Sequence, residues 1–211
     1  MFGITDFWIF VVAGITLNLI PGPDSLYIIG RSATQGFRAG SSASLGIGAG
    51  TLIHILAAAL GLSAILSTSV MAFTIIKIIG CLYLFYIGFS MLLSKRAKTT
   101  SMLPVQQNMS LGKIFYQGFL TNALNPKVAL FFLAFVPQFI SHDAPNKALA
   151  FIILGLVFNI NGMVLCHLLA WFSSSLGTKL KNNKLITNIL KKLAGSLFIG
   201  FGVKLALSNQ S

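Results

Sequence analysis

Six long apolar stretches dominate this sequence and leave few folds open to it. A helix needs about 20 mostly apolar residues to cross a bilayer, and each stretch is close to that length or longer. Apolar and polar residues do not alternate along them, as they would in the strands of a membrane β-barrel. The sequence therefore predicts six transmembrane helices, at residues 5–29, 43–66, 70–93, 114–139, 148–171 and 189–207.

Composition agrees with a membrane protein and argues against an enzyme. Charged residues make up 9% of the chain, whereas soluble domains carry about 25%. The chain contains no Glu, and its acids are Asp6, Asp24 and Asp143, so the paired carboxylates of much acid–base chemistry are scarce. Cys81, Cys166 and the three histidines do not form a metal-ligand spacing. The sequence predicts no catalytic residue, metal or other cofactor.

Basic residues concentrate in alternate loops. Of the 15 Lys and Arg residues, 11 fall in the first, third and fifth loops, with Arg31 and Arg38 assigned to the first, whereas Lys147 falls in the fourth. Cytoplasmic loops are the basic ones, so these three loops are predicted to face the cytoplasm and both termini the outer side. The bilayer explains the net charge of +12 through its anionic headgroups, and no nucleic-acid partner is predicted.

The first three stretches resemble the last three in order. Polar interruptions with proline occur at residues 18–24 and 122–127, and a Lys-x-x-Gly pattern occurs at residues 77–80 and 192–195. Because three spans is an odd number, the second copy would insert upside down. The prediction is an all-α membrane protein with a 3+3 inverted repeat, with helices 1 and 4 broken at proline. Its single domain spans 1–211, with repeat A at 1–93, a basic cytoplasmic loop at 94–113 and repeat B at 114–211.

The two interruptions carry the candidate site. Proline in a span removes a backbone N–H and frees a carbonyl, and such breaks bind substrate in transporters. Asp24 lies well inside a predicted span, where a charge costs about 2.5–3.5 kcal/mol. Lys127 is expected to face it and so to reduce this cost. Because an acid in a span usually has a function, Asp24 is predicted to couple protons. Candidate substrate-binding residues are Asn18, Pro21, Gly22, Pro23, Asn122, Asn125, Pro126 and Lys127, with His54, Asn159 and Asn161 as further cavity candidates.

Glycine and phenylalanine runs predict packing. The glycines at residues 46, 48 and 50 favour close contact between helices, and glycine-rich faces leave a homodimer open. The phenylalanine-rich run at residues 131–135 is interpreted as facing lipid or the core.

Two separated motifs then point to a family. The first is Pro21-Gly22-Pro23-Asp24, followed by GFRAG at 36–40 and LGIGAG at 45–50. The second is GFLTN at 118–122, followed by NPK at 125–127, FF at 131–132 and PQF at 137–139. In this order on a six-span chain, they resemble the lysine exporter (LysE/RhtB) family of amino-acid exporters over nearly the whole length. The resemblance implies a bacterial inner-membrane secondary transporter that exports an amino acid or a related small metabolite, with proton antiport as the expected energy source.

Three other functions compete with amino-acid export. An ion or metal-ion transporter would usually need clustered His, Cys or carboxylates, which the sequence does not offer. A membrane-embedded diaspartyl protease would need two acids within the spans, and Asp24 is the acid well inside one. A membrane scaffold without a transported substrate would leave the paired polar interruptions unexplained.

Overall fold

The described part of the chain is helical. The computed structural model describes residues 2–64, 109–141 and 143–176, with scattered helical positions between residues 71 and 89 and between 192 and 203. Within these residues, the β-structure is one isolated bridge between Ile4 and Ile140. The predicted all-helical class is confirmed. The predicted spans at 70–93 and 189–207, with most of the loop between repeats, lie outside the described ranges.

The first predicted span consists of two helices. Helix α1 (Phe7–Leu19) and helix α2 (Pro23–Gln35) are bent by 54° relative to each other. Pro23 opens α2, where its fixed φ suits the first turn and its missing N–H removes no helical bond. Helix α2 continues past the predicted end at residue 29, because its polar continuation is buried by neighbouring helices. Arg31 therefore lies inside α2, 5% exposed, and its assignment to the first loop was wrong.

A glycine turn leads directly into the next helix. Gly36 has a φ of 80°, which glycine adopts without the steric penalty of a side chain. Helix α3 (Phe37–Ala57) follows and ends in a π-helical turn at Ala58–Leu62. It begins six residues before the predicted span at 43–66, since the small residues after the turn continue the helix.

The fourth predicted span is also interrupted. Helix α4 (Leu111–Ala123) is followed by helix α5 (Pro126–Leu130), which continues as a π-helical turn and a 3₁₀-helix to Phe139. The two parts are bent by 44°. Asn125 caps α5, because its Oδ1 accepts the backbone N–H of Lys127 at 3.0 Å. Helix α6 (Lys147–Leu176) completes the described bundle.

Several of these elements are candidate membrane spans. Phe37–Leu62, with 26 residues, and Lys147–Ser175, with 29, are each long and apolar enough to cross a bilayer. The bent pairs α1–α2 and α4–α5 pass the same test when each pair is taken together. The described residues thus contain two candidate spans, or four if each bent pair is one span.

Glycines bring α3 and α4 into backbone contact. A Cβ built on Gly46 would overlap the carbonyl oxygen of Phe115, and one on Gly50 would lie 2.8 Å from the carbonyl oxygen of Phe119. The prediction that these glycines serve close helix packing is confirmed. Because α4 of the same chain covers this face, Gly46 and Gly50 are not available there for a second copy.

An aromatic core joins α1, α5 and α6. The rings of Phe131 and Phe158 stack with centroids 4.6 Å apart, and Phe10 packs edge-on against Phe139 at 5.3 Å. All four side chains are buried. The phenylalanine-rich run at 131–135 therefore packs into the core rather than facing lipid, and Leu133 is the exposed residue of the run. This core fixes the segment before the first helix break and the segment after the second.

Candidate functional site

The two helix breaks line one small internal cavity. Its volume is about 40 Å³, which holds a few water molecules rather than an amino acid. The residues around it come from both breaks and from α3 and α6. Seven residues predicted from the sequence are among them, namely Asn18, Gly22, Asp24, Asn122, Asn125, Lys127 and Asn159.

Asp24, in the first turn of α2, is held by amide groups from the other break. Its Oδ2 accepts hydrogen bonds from Asn122 Nδ2 at 2.8 Å and from Asn125 Nδ2 at 3.0 Å. The orientation of the Asn125 amide follows from its Oδ1, which accepts the Lys127 N–H. Only the NH₂ group of Asn125 is then left to face the carboxylate.

Lys127, in the first turn of α5, caps the end of α1. Its Nζ donates to the carbonyl oxygens of Leu17 at 2.7 Å and Ile20 at 2.9 Å. The last carbonyls of a helix have no partner within it, and a cation at this end is also favoured by the helix dipole. Lys127 and Asp24 therefore share the cavity, but the hydrogen bonds of Lys127 go to the α1 carbonyls.

Each break is completed by side chains from the other. Asp24 follows the helix-opening Pro23, and Lys127 follows the helix-opening Pro126, so the two residues occupy equivalent positions. Asp24 binds the α4–α5 break and Lys127 binds the α1–α2 break. These contacts join residues that are 98 to 110 positions apart in the chain. The two halves of the described bundle are thus braced against each other at the cavity.

Helix α3 holds Asn122 in place. Thr51 Oγ1 lies 3.2 Å from Asn122 Oδ1 and donates to it, while His54 Nε2 lies 2.9 Å from the Asn122 carbonyl oxygen. Asn122 is 2% exposed, and its Nδ2 is turned toward Asp24. Sequence reasoning did not single out Thr51, although it directly follows the glycine that lets α4 approach.

Some predicted residues lie beside the cavity rather than on it. Pro21, Pro23 and Pro126 belong to the breaks, but they are not among the described residues that line the cavity. His54 and Asn161 are likewise outside that lining set. The prolines thus shape the site through the backbone, whereas the asparagines, Asp24 and Lys127 present polar side chains to it.

Apolar side chains make up much of the remaining wall. Leu17, Ile47, Val128, Phe158 and Met163 all line the cavity. Such a mixture, with a few polar groups in a mainly apolar wall, is typical of sites for small organic molecules.

A second polar cluster, centred on Arg31, was missed by sequence reasoning. Arg31 donates to Gln117 Oε1 at 3.0 Å and to Gln35 Oε1 at 3.2 Å, and its guanidinium lies 5.5 Å from the centre of the Tyr27 ring. The cluster lies about two helical turns along α2 from Asp24 and joins α2 to α4. The spacing of Tyr27, Arg31 and Gln35 at every fourth residue could have placed them on one helix face.

An all-helical membrane protein whose polar groups converge from two helix breaks has the organisation of a transporter. The chain belongs to the family of LysE type translocators, whose sequence profile matches residues 15–209. The resemblance inferred from the two motifs is thereby confirmed.

Relatives cover nearly the whole chain. An uncharacterized membrane protein of Pseudomonas aeruginosa is 30% identical over an alignment of 212 positions, which covers 99% of this chain and 98% of the relative. A leucine efflux protein of Salmonella typhimurium is 30% identical over an alignment of 214 positions, which covers 97% of this chain and 96% of the relative. A leucine efflux protein of Enterobacter sp. (strain 638) is 29% identical over 205 residues, covering 97% of each. No solved structure matches the chain.

Proposed function

We propose that this protein exports an amino acid across the bacterial inner membrane by proton antiport. The observation that carries the proposal is the convergence of Asp24, Asn122, Asn125 and Lys127 on one cavity between two broken helices. Family membership supports transport rather than catalysis. The leucine efflux relatives and the apolar wall make a neutral, apolar amino acid such as leucine the first candidate substrate.

The residues of the cavity and of the two helix breaks divide into three roles in this proposal. Asp24 couples export to protons, because it is the acid at the cavity and a carboxylate can alternate between two charge states. The breaks themselves are formed by Pro21, Pro23 and Pro126. The substrate site is formed by Asn18, Gly22, Asn122 and Asn125, with Asn159 as a further contact and Lys127 as a positive charge close by.

The proposed architecture is six spans in a 3+3 inverted repeat. The bends of 54° and 44° at Pro23 and Pro126 support it, as does the equivalent placement of Asp24 and Lys127. Alternating access then moves one group of helices against another around the cavity. The proposed partners are the amino acid, protons and the bilayer; a homodimer would need a surface other than the Gly46 and Gly50 face.

The proposed orientation predicts which side of the membrane each turn faces. On a background in which both cysteines are replaced by serine, a cysteine at Arg38 should react with an impermeant thiol reagent only from the cytoplasm. A cysteine at Asn146 should react only from outside. Both positions are exposed, and the basic loops set the orientation. Labelling of both positions from the same side would contradict the topology.

Counterflow in proteoliposomes tests the function itself. Vesicles loaded with unlabelled leucine should take up external labelled leucine faster than vesicles loaded with lysine or glutamate, or vesicles without protein. An apolar wall accounts for the expected preference, because burying an unpaired charge against it is unfavourable. If no amino acid in a full panel supports exchange, amino-acid export is wrong. Exchange that depends on a metal ion instead would support the competing ion-transport function.

A further inference from the structure

Two buried polar atoms at the cavity stand out from the hydrogen-bond network. Within the described part of the chain, Asp24 Oδ1 and Asn18 Nδ2 are buried and have no hydrogen-bond partner. Both residues line the cavity. Burying a polar group without a partner is unfavourable, so these atoms favour a bound molecule that supplies the missing bonds.

The two oxygens of Asp24 differ in what they can bind. Oδ2 accepts from the amides of Asn122 and Asn125, and those amides remain donors whether the carboxylate is ionised or protonated. A proton that joins Asp24 therefore goes to Oδ1. The same oxygen is the one open to a donor from a substrate in the cavity.

Asn18 supplies the complementary chemistry from α1. Its side chain packs against α6, where a Cβ built on Gly162 would lie 3.2 Å from Asn18 Nδ2. An amide NH₂ donates and therefore suits a carboxylate, while an ionised Asp24 Oδ1 accepts and suits an ammonium. One donor and one acceptor at the same cavity match the two charged ends of an α-amino acid.

We propose that Asp24 Oδ1 binds either a proton or the ammonium of the transported α-amino acid, while the Asn18 amide binds the carboxylate of that substrate. The uncharged side chain of the substrate lies against Phe158 and Met163. Because one oxygen cannot hold both partners, arrival of the substrate releases the proton, and arrival of a proton releases the substrate. This inference rests on the proposed function and gives antiport its physical origin.

The described cavity must widen before this substrate binds. At about 40 Å³ it admits water, so the ligand enters only when some of the helices around the cavity move apart. Lys127 is held by the α1 carbonyls, and it contributes a positive charge near the site rather than the direct bond to the substrate carboxylate.

The pH dependence of leucine binding tests whether a proton and the substrate compete for Asp24 Oδ1, and this test needs no variant. Leucine binding to purified protein in detergent is measured by calorimetry across a pH series. Once Asp24 is protonated in the free protein, the apparent Kd for leucine should rise about tenfold per unit fall in pH. A Kd that stays constant across the range in which proton-driven export responds to pH would overturn the proposal.

Substrate analogues test the two ends separately. In the wild type, 4-methylpentanoate, which lacks the ammonium, should compete with leucine at least about tenfold more weakly than leucine itself. In Asp24→Asn the two should compete within about twofold of each other, since the ammonium has lost its ionic partner. Leucinamide, which lacks the carboxylate, should compete more weakly than leucine in the wild type. In Asn18→Ala the two should compete within about twofold of each other. Asp143→Asn, which removes an exposed acid, should keep the wild-type pattern.

The outcomes separate this inference from the proposed function. One outcome is that leucine exchanges in counterflow while Asp24→Asn still discriminates fully against 4-methylpentanoate. In that case the claim that Asp24 Oδ1 binds the substrate ammonium is wrong, and amino-acid export stands. If no amino acid binds or exchanges, export itself is wrong. Thermal unfolding of each variant shows whether it is folded. If a variant is misfolded, the pH series on the wild-type protein decides whether the inference holds.

Discussion

Replacing Asp24 with asparagine should abolish uphill export while leaving part of the substrate exchange. Asparagine keeps the size of the side chain and an oxygen that can accept from Asn122 and Asn125, but it cannot change charge. A group that does not titrate cannot link proton binding to substrate binding, so the proton-driven accumulation ratio should fall to about 1. Exchange needs no net proton movement and should continue at higher substrate concentration. Both are measured in proteoliposomes with and without an imposed pH gradient.

A second acid provides the matched control for this experiment. Asp143→Asn removes the same charge from an exposed position and should leave gradient-driven export unchanged. Uphill export by Asp24→Asn at the wild-type rate would remove Asp24 from the coupling mechanism. His54, which is buried beside Asn122, would then be the next titratable group to test.

Replacing Lys127 with methionine should destabilise the protein by about 3–5 kcal/mol, the range found when one partner of a buried charged site is removed. Methionine fills a similar volume, so the loss is of hydrogen bonds and charge. The carbonyls of Leu17 and Ile20 would lose their shared donor, and Asp24 would lose the nearby positive charge. Thermal unfolding in detergent gives the comparison with wild type.

Three further variants provide the comparisons needed to interpret the stability of Lys127→Met. Lys113→Met changes an exposed lysine and should have little effect. Lys127→Arg keeps the charge and the donors and should be milder than Lys127→Met. The double variant Asp24→Asn with Lys127→Met should also be milder, because no lone charge is left at the cavity. A Lys127→Met protein as stable as wild type would show that capping of α1 contributes little.

Hydropathy predicted the helical class but not where each helix ends. The apolar stretches are visible because a span in lipid must be apolar along most of its length. Helix α2 continues through Arg31 to Gln35, which hydropathy cannot foresee, because a polar side chain buried by protein looks the same in sequence as one in a loop. The Arg31 cluster was missed for this reason.

The sequence led to the residues around the cavity more readily than to their bonding partners. Prolines and asparagines at residues 18–24 and 122–127 identify where the backbone departs from a straight helix. The choice of partners depends on the bends, which direct the carbonyls of Leu17 and Ile20 toward Lys127. Thr51 was missed because a hydroxyl on a helix most often bonds to its own backbone, as Thr51 also does with Ile47.

The backbone contact between α3 and α4 limits how this protein can move. With Gly46 and Gly50 seated against the α4 backbone, the helices touch at these points with no α3 side chain between them. A slip by one turn, about 5.4 Å, would force larger residues of α3 into the α4 backbone. Helices α3 and α4 therefore travel as one rigid body that carries Thr51 and Asn122, and sliding is confined to the surfaces where this body meets α1, α2 and α6.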